Sequence, residues 1–307
     1  MEIIRDPAAV GLLGRPVIAL SDFDGVHLGH LALLRATVEW ARTACGSPLA
    51  CVFDPTSAQA LAVGRAPSQI TALNDRLELL ATTGVIGVAL AEPASSWNGL
   101  SLGEFMREYL VAKMRAFGVM IERNANLTSE QAGVGAVIAE LGRECGLEVI
   151  AAPPVRVDGI EVSSARIRHL IAAGDLKTAT KLLGRHHFLS GAVVHGHKRG
   201  RELGFPSANL ACETQSVPPD GVYASRAFVD GARFDSITNI GTRPTFGEFD
   251  RVIETHMLDF SRDVYGKRIR VALIERIRSQ HRFDSVEALS RHITEDIKRV
   301  REVLARA

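Results

Sequence analysis

Residues 16–30, PVIALSDFDGVHLGH, join an apolar run to the start of a helical pattern. The run Pro16–Leu20 is typical of a buried strand, and residues 31–43 carry apolar side chains at helical spacing. In α/β folds, a segment that leaves a parallel strand and opens a helix lies at the carboxyl edge of the sheet, where ligands bind. We therefore expect residues 23–30 to form part of a ligand site at such an edge.

Two histidines and a glycine in this segment favour phosphate chemistry. The free N–H groups at the start of a helix attract phosphate, and Gly29 lets the backbone approach a ligand closely. His27 and His30 can donate hydrogen bonds to phosphate oxygens as charge builds in a phosphoryl transition state. The alternative interpretation is a strand-to-helix turn whose histidines have no chemical role.

Short apolar runs alternate with helical patterns through the first half of the chain. The runs lie at residues 49–53, 85–90 and 148–152, and the helical patterns at residues 72–82, 102–115 and 132–145. This alternation is typical of an open, mostly parallel sheet with helices on both faces. We predict an α/β domain that spans residues 1–185.

The pattern changes after about residue 185. Stretches of alternating apolar and polar residues, separated by Gly, Pro and Asp turns, predict a small antiparallel barrel. These stretches lie at residues 188–195, 221–228, 234–240, 252–258 and 269–277, and a helical pattern follows at residues 285–305. We therefore predict a second domain, residues 186–307, in which a terminal helix packs across the barrel.

Length and charge restrict the classes of function that the chain can serve. A chain of 307 residues is long enough for two domains. Its net charge of +1 gives no broad basic field, so we expect neither a nucleic-acid partner nor an anionic membrane partner. No apolar run approaches the roughly 18 residues of a membrane span. The cysteines show no CxxC pair or metal-ligand spacing, so we expect reduced thiols and a cytoplasmic protein.

Residues 195–209, HGHKRGRELGFPSAN, form the segment richest in candidate ligand-binding residues. A basic loop with several glycines can hold nucleotide phosphates through backbone N–H groups and positive side chains. The Ser207 hydroxyl and the Asn209 amide supply hard oxygen ligands of the kind that Mg²⁺ prefers when it is shared with ATP phosphates. A solvated hairpin loop is the alternative interpretation.

This segment closely resembles the riboflavin kinase motif GRxLGFPTAN, with Ser207 in place of threonine. Further matches are PDGVY at residues 219–223, NIGTRPTF at 239–246, ETH at 254–256 and DVYG at 263–266. The resemblance implies that Glu254 is the general base, which takes the proton from the attacking hydroxyl. It also implies that the loop binds ATP through Gly196, Lys198, Gly200, Arg201, Gly204, Phe205 and Pro206.

The first half carries a second resemblance. The segment FDGVHLGH resembles the HxGH signature of the nucleotidyltransferase superfamily, and more closely the N-terminal module of bacterial bifunctional riboflavin kinase/FMN adenylyltransferases. Residues 163–168, SSARIR, resemble the SSTxIR element of that family, although alone they fit a plain capped helix. The resemblance implies a Rossmann-like nucleotidyltransferase domain with His27, His30 and Arg168 in catalytic roles. The implied nucleotide-binding residues are Asp24, Gly25, Gly29, Ser163, Ser164 and Arg166.

The first module also departs from the family pattern. Ser21 and Asp22 stand where the family has a glycine and a variable residue, and FDPTS at residues 53–57 replaces FDPHP. The stretch that resembles VGxNFxFGxxxxG in the family reads IERNANLTSEQAG at residues 121–133, with Glu122 in place of a glycine. In the same register Ala125 and Leu127 replace the aromatic pair of the family, and each lost aromatic contact weakens the binding of a flat ring by roughly 1 kcal/mol. The nucleotide and the acceptor of this module therefore stay open.

We expect an enzyme of flavin cofactor biosynthesis that uses ATP and Mg²⁺. Its second domain would phosphorylate riboflavin to FMN, and its first would transfer AMP from ATP to FMN to form FAD. Two alternatives stay open: a riboflavin kinase whose first module is inactive or transfers another nucleotide, and a flavin-binding regulator without turnover. The expected partners are the small molecules riboflavin, FMN and ATP, and the sequence leaves homo-oligomerisation open.

Overall fold

The computed structural model describes residues 1–53, 68–91, 102–123, 140–196, 204–212, 215–245, 248–281, 283 and 285–307. The chain divides into two compact units. The first consists of Met1–Gln69 with Leu73–Ser164, and the second of Ile70–Ala72 with Ala165–Ala307. None of the helices in these described ranges is long and apolar enough to cross a membrane.

The first unit contains a parallel sheet of six strands, as the alternating pattern predicts. The strand order is β1-β4-β3-β2-β5-β6, and every neighbouring pair is parallel. The strands are β1 (Glu2–Ile4), β2 (Pro16–Ser21), β3 (Ser47–Phe53), β4 (Gly87–Ala91), β5 (Gly118–Glu122) and β6 (Glu148–Ala152). The residue pattern did not predict β1 or β5. Strand β5 matters for the site because it lies directly beside β2.

Helices cover both faces of this sheet. They are α1 (Pro7–Val10), α2 (Leu28–Thr43), α3 (Leu73–Leu80) and α4 (Leu102–Glu104), which continues as a π-helix (Phe105–Lys113). Side chains of β2 alternate between the two layers, since Leu20 joins the cluster that contains Met106 of the π-helix, whereas Ala19 joins the cluster that contains Leu34 of α2. Because successive side chains of a strand point to opposite faces, strand β2 is buried on both faces of the sheet.

The second unit is built around a closed antiparallel barrel, which confirms the predicted fold class. The barrel strands are β9 (Phe188–Val194), β10 (Ala208–Ala211), β11 (Gly221–Val229), β12 (Ala232–Thr245), β13 (Glu248–Met257) and β14 (Arg268–Arg278), in the order β10-β13-β12-β11-β14-β9. Pairing of β10 with β9 closes it. The hairpin of β7 (Arg156–Val157) and β8 (Ile160–Glu161) still belongs to the first unit, and the remaining helices are α5 (Ser164–Ala173), α6 (Leu176–Leu183) and α7 (Val286–Leu304).

Helix α7 packs on the outside of the barrel, as its helical pattern predicts. Val300 and Leu304 of this helix share a buried cluster with Val222 and Ala224 of β11. Inside the barrel, four buried hydroxyl groups form a hydrogen-bonded chain with distances of 2.7–2.9 Å, made by Ser225, Ser236, Thr238 and Thr255. Mutual hydrogen bonding lets these polar groups lie in the core without an unsatisfied donor or acceptor.

Candidate active sites

The chain leaves β2 through a tight loop that carries unusual backbone angles. Phe23 and Val26 have φ values of 50° and 38°, which non-glycine residues rarely adopt, and Gly25 has a φ of 85°. Such conformations persist only where the surroundings hold them in place, and they concentrate at functional sites. Two side chains at the end of β2 hold this loop: the Ser21 hydroxyl accepts from the Phe23 N–H, and the Asp22 carboxylate accepts from the Asp24 N–H.

A buried arginine fixes the same loop from helix α3. The Arg76 guanidinium donates to the Asp22 carbonyl at 2.7 Å and to the Asp24 carboxylate at 3.3 Å. Arg76 is 1% exposed and Asp24 is 2% exposed, so the ion pair is shielded from water. From the other side, the Ser164 hydroxyl donates to the Asp24 carbonyl at 2.9 Å. Asp24, a predicted nucleotide-binding residue, therefore also anchors the loop.

His27 caps helix α2, and this contact fixes its tautomer. Its Nδ1 atom accepts a hydrogen bond from the backbone N–H of His30 at 3.2 Å. Because Nδ1 acts as the acceptor, the proton of the neutral ring is on Nε2, which is therefore a hydrogen-bond donor. The two imidazole rings stack with centroids 3.6 Å apart. The predicted pair of histidines thus lies at the start of the helix that follows a parallel strand.

Two carboxylates lie beside His30. Its Nε2 atom is 4.0 Å from Asp22 Oδ1 and 4.0 Å from Glu122 Oε1, and it is 3.3 Å from the Ser21 hydroxyl. Burial, and then the charge of Asp22, raises the pKa of Glu122 to about 7. Candidate ligand atoms of His27, His30 and Glu122 all lie within 4.8 Å of one another. We do not assign a metal site here, because the capped tautomer of His27 has its second nitrogen protonated.

Gly29 leaves room for two side chains at the first turn of α2, while its predicted close approach to a ligand stays a prediction. A Cβ atom at this position would lie 3.0 Å from His27 Cε1 and 3.2 Å from Glu122 Oε1. These are tighter than ordinary contacts to a Cβ atom, so a larger residue would push both side chains away. Glycine therefore lets the imidazole and the carboxylate lie against the first turn of α2.

The predicted arginines of the SSARIR element lie on helix α5. Arg166 is exposed and Arg168 is half-buried, whereas Ile167 between them is fully buried. The helix therefore turns its apolar side inwards and presents the two arginines on different faces, as their spacing predicts. Their roles toward phosphate, and the capping role of Ser163 or Ser164, stay predictions.

In the barrel, strand pairing aligns three polar side chains in one row. Asn209 of β10 is opposite Glu254 of β13, and Glu254 is opposite Asn239 of β12. Directly opposed residues of antiparallel strands point to the same face. Their chain neighbours Ile253 and Ile240 are buried in the barrel core, so the row lies on its outer face, where the three polar side chains are half-buried.

Gly196, at the start of the predicted phosphate loop, lies directly against this row of polar side chains. The Asn209 amide occupies the space that a side chain at position 196 would need. Gly196 therefore lets the chain pass directly over Asn209, beside Glu254 in the same row. Both predicted metal ligands belong to this region, because Ser207 is two residues before Asn209 and its hydroxyl donates to the Phe205 carbonyl at 3.4 Å.

Strand β13 also holds the turn that carries Phe205 and Pro206. The His256 Nδ1–H donates to the Pro206 carbonyl at 2.7 Å, and the rings of His256 and Phe205 meet edge to face with centroids 5.9 Å apart. Gly204, at the start of this turn, has a φ of 83°. One strand thus supplies both the proposed base, Glu254, and the support for the turn.

Several predicted features lie outside the described residues. These are the loop residues Lys198, Gly200 and Arg201, residues 54–57 of the FDPTS string, and residues 124–133 of the altered glycine-rich stretch.

Comparisons with known proteins cover both units. A family model described as riboflavin kinase matches residues 183–304, and one described as FAD synthetase matches residues 13–166. The bifunctional riboflavin kinase/FMN adenylyltransferase of Escherichia coli (strain K12) is 32% identical over 287 residues, which are 93% of this chain and 92% of that protein. The enzyme of the same name from Bacillus subtilis (strain 168) is 30% identical over 92% of this chain and 90% of its own length.

The chain belongs to the bifunctional riboflavin kinase/FMN adenylyltransferase family. It is therefore an enzyme of flavin cofactor biosynthesis, with a riboflavin kinase domain and an FAD synthetase domain, as the two resemblances imply. A solved structure from Streptococcus pneumoniae, described as a macrolide-efflux protein, has a TM-score of 0.83 and 29% identity, and covers 97% of this chain and 98% of its own. That likeness shows that the folds of both units occur in a known structure.

Within this family fold, sequence reasoning missed side chains that complete both sites. In the first unit it assigned no role to Arg76, Asp22 or Glu122. The position of Arg76 within an apolar helical pattern could have indicated a buried charge that needs a partner. In the second unit it named His256 only as part of a matching string, and Asn239 likewise. The period of two along β12 and β13 could have placed them on the face that carries Glu254.

Proposed function

We propose that the second unit transfers the γ-phosphoryl group of ATP to the 5′-hydroxyl of riboflavin, giving FMN and ADP. The first unit then transfers AMP from a second ATP to FMN, giving FAD and pyrophosphate. The observation that carries the kinase assignment is the row of Asn209 and Glu254 on the outer face of the barrel. We further propose that the protein is cytoplasmic, with a domain boundary between residues 185 and 186, in the link between α6 and β9.

In the kinase reaction, Glu254 would accept the proton of the riboflavin hydroxyl while its oxygen bonds to the γ-phosphorus and the bond to ADP breaks. The Ser207 hydroxyl and the Asn209 amide fit Mg²⁺, because both are hard oxygen donors. Two protein ligands would leave the other positions of an octahedral ion to phosphate oxygens and water. When bound, Mg²⁺ would neutralise charge on the phosphates. The loop glycines Gly196 and Gly204 would let the backbone follow the phosphate chain.

In the adenylyl-transfer reaction, a phosphate oxygen of FMN would attack the α-phosphorus of ATP, and pyrophosphate would leave with the electrons of the broken P–O bond. The His27 Nε2–H is a donor held in place by the helix cap, so it supplies a hydrogen bond to a developing negative charge without further reorganisation. His30 at the same helix start would bind phosphate oxygens, and the family resemblance assigns Arg168 a role of the same kind. Asp24 would keep the loop in place through its ion pair with Arg76.

A product assay tests the kinase assignment. Purified protein is incubated with riboflavin, ATP and Mg²⁺, and FMN and FAD are separated by chromatography over time. We expect Glu254→Gln to lose at least about a hundredfold in the rate of FMN formation, as removal of a general base does, while riboflavin binding survives. The matched control is Glu275→Gln, which removes an exposed carboxylate from strand β14 of the same barrel and should phosphorylate normally. Normal turnover by the Glu254 variant would overturn the role of this residue.

A further inference from the structure

Glu122 lies where the nucleotide phosphates of the first unit would bind. It is the last residue of β5, the neighbour of β2, so its side chain leaves the sheet beside the loop that carries Asp22. Its Oε1 atom is 4.0 Å from His30 Nε2, and it lies against the glycine of the first turn of α2. A phosphate drawn to the N–H groups of that turn and to His30 would therefore meet this carboxylate.

The burial of the histidines agrees with this placement. His27 and His30 are each 1% exposed, whereas the Glu122 side chain is 30% exposed. The imidazoles that should contact phosphate are thus shielded, and Glu122 is a partly exposed carboxyl group 4.0 Å from His30. A phosphate that binds beside His30 would therefore lie close to this side chain and be repelled by its carboxylate form.

We propose that Glu122 controls entry of ATP to the adenylyl-transfer site, excluding the phosphates when it is ionised and admitting them when it is protonated. This inference rests on the proposed adenylyl transfer by the first unit and assigns a regulatory group to that site. A protonated carboxyl group can donate a hydrogen bond to a phosphate oxygen, whereas a carboxylate can only accept one. Protonation of Glu122 therefore changes its side chain from a group that repels phosphate to one that can bind it.

The charges around Glu122 place that titration near neutral pH. Asp22 faces it from the loop after β2, and His27 and His30 face it from α2, while the ion pair of Arg76 and Asp24 supports the loop itself. Burial and the charge of Asp22 both disfavour the carboxylate form and raise the pKa of Glu122 to about 7. The carboxylate form, and with it the exclusion of ATP, therefore increases as the pH rises through 7.

The test is the pH dependence of KM for ATP in the formation of FAD from supplied FMN. A group with a pKa near 7 is about 90% ionised at pH 8, so KM of the wild-type chain should rise about tenfold between pH 6 and pH 8. Glu122→Gln keeps the shape but cannot ionise, so its KM should stay near the low-pH value. The ionisation and metal binding of ATP itself affect all variants equally and cancel in the ratio of KM values. Parallel pH profiles for the two proteins would overturn the proposal.

Two further variants make the test specific. Glu148→Gln removes an exposed carboxylate from the neighbouring strand β6 and should keep the wild-type profile. Asp22→Asn removes the charge that helps to raise the pKa of Glu122, so the rise in KM should begin at a lower pH. The phosphorylation of riboflavin by the same chains reports correct folding of each variant and should not depend on residue 122.

Failure of the proposed reaction and failure of this inference give different results. If neither the wild type nor Glu122→Gln forms FAD at any pH, adenylyl transfer to FMN is wrong. Calorimetric titration with ATP then tests the inference alone. The variant should bind ATP more tightly than the wild type at pH 8 and equally at pH 6, on top of a kinase-site contribution that both share. Equal binding at both pH values would overturn the role of Glu122.

Discussion

In the first unit, several ionisable side chains are buried, although burial disfavours their charged forms. Glu122 is mostly buried beside Asp22, and both burial and that neighbouring charge disfavour its ionisation. Arg76 and Asp24 are both almost completely buried, and each compensates the charge of the other in an ion pair. A buried pair of this kind is costly to break from one side, because the remaining charge is left without compensation. Among the described residues, no arginine forms an ion pair of this kind with Glu122, so its carboxyl group responds to pH instead.

The raised pKa of Glu122 predicts a pH-dependent stability. The unfolded chain releases this proton near pH 4.5, whereas the folded chain keeps it to about pH 7, so the stabilisation is fully present below pH 4.5 and is lost as the pH rises to 7. Glu122→Gln should therefore be more stable than the wild type at pH 8 by roughly 1–3 kcal/mol, with a smaller difference at pH 5. Urea unfolding at the two pH values measures this. A difference that does not change with pH would contradict the prediction.

At the scale of elements, helix α2 begins with a residue that caps the helix and is also the proposed hydrogen-bond donor for adenylyl transfer. His27 supplies the capping acceptor through Nδ1 and, because of that contact, a donor through Nε2. The helix begins at Leu28, earlier than the apolar pattern alone indicates, because the histidine cap satisfies a free N–H group of the first turn. The cap thus fixes the imidazole at the start of the helix.

Variants of His27 should separate these two contributions. His27→Ala removes both, so it should lose about 1 kcal/mol of stability and most of the rate of FAD formation from FMN. His27→Asn restores a good capping side chain but lacks the imidazole donor, so its stability should recover while its activity does not. Thermal unfolding and the FAD assay on both variants check this. Full activity in the asparagine variant would show that His27 acts through the cap alone.

The elements also show how far sequence reasoning reaches in this chain. The apolar run of β2 and the long periodic helices α2 and α7 follow directly from their patterns, and so does the change from parallel sheet to barrel. Strand β5 was not predicted from its pattern, and β10 was missed because it begins inside the GFPSAN motif and has only four residues. The meeting of Glu122 with His30 depends on the parallel pairing of β5 with β2 and not on local spacing. Contacts between distant segments of this kind cannot be inferred from periodicity.

At the scale of the whole molecule, the chain consists of two compact units, each with its own set of candidate catalytic residues. The first places two imidazoles at a helix start beside a parallel sheet, which suits transfer at an α-phosphorus. The second places a carboxylate and neutral oxygen donors on a barrel face, which suits transfer of a γ-phosphoryl group. The FAD synthetase match and the riboflavin kinase match fall on these units in the same order. FMN is the product of one proposed reaction and the substrate of the other.

The central claim is that two separate sites of one chain act in sequence through FMN, and a mixing experiment tests it most directly. Glu254→Gln and His30→Asn are each incubated with riboflavin, ATP and Mg²⁺, alone and together, and FAD is measured over time. Each variant alone should form no FAD, the first for lack of FMN and the second with FMN accumulating. The mixture should form FAD after a lag in which FMN passes from one chain to the other. FAD formation by Glu254→Gln alone, or none in the mixture, would contradict the account.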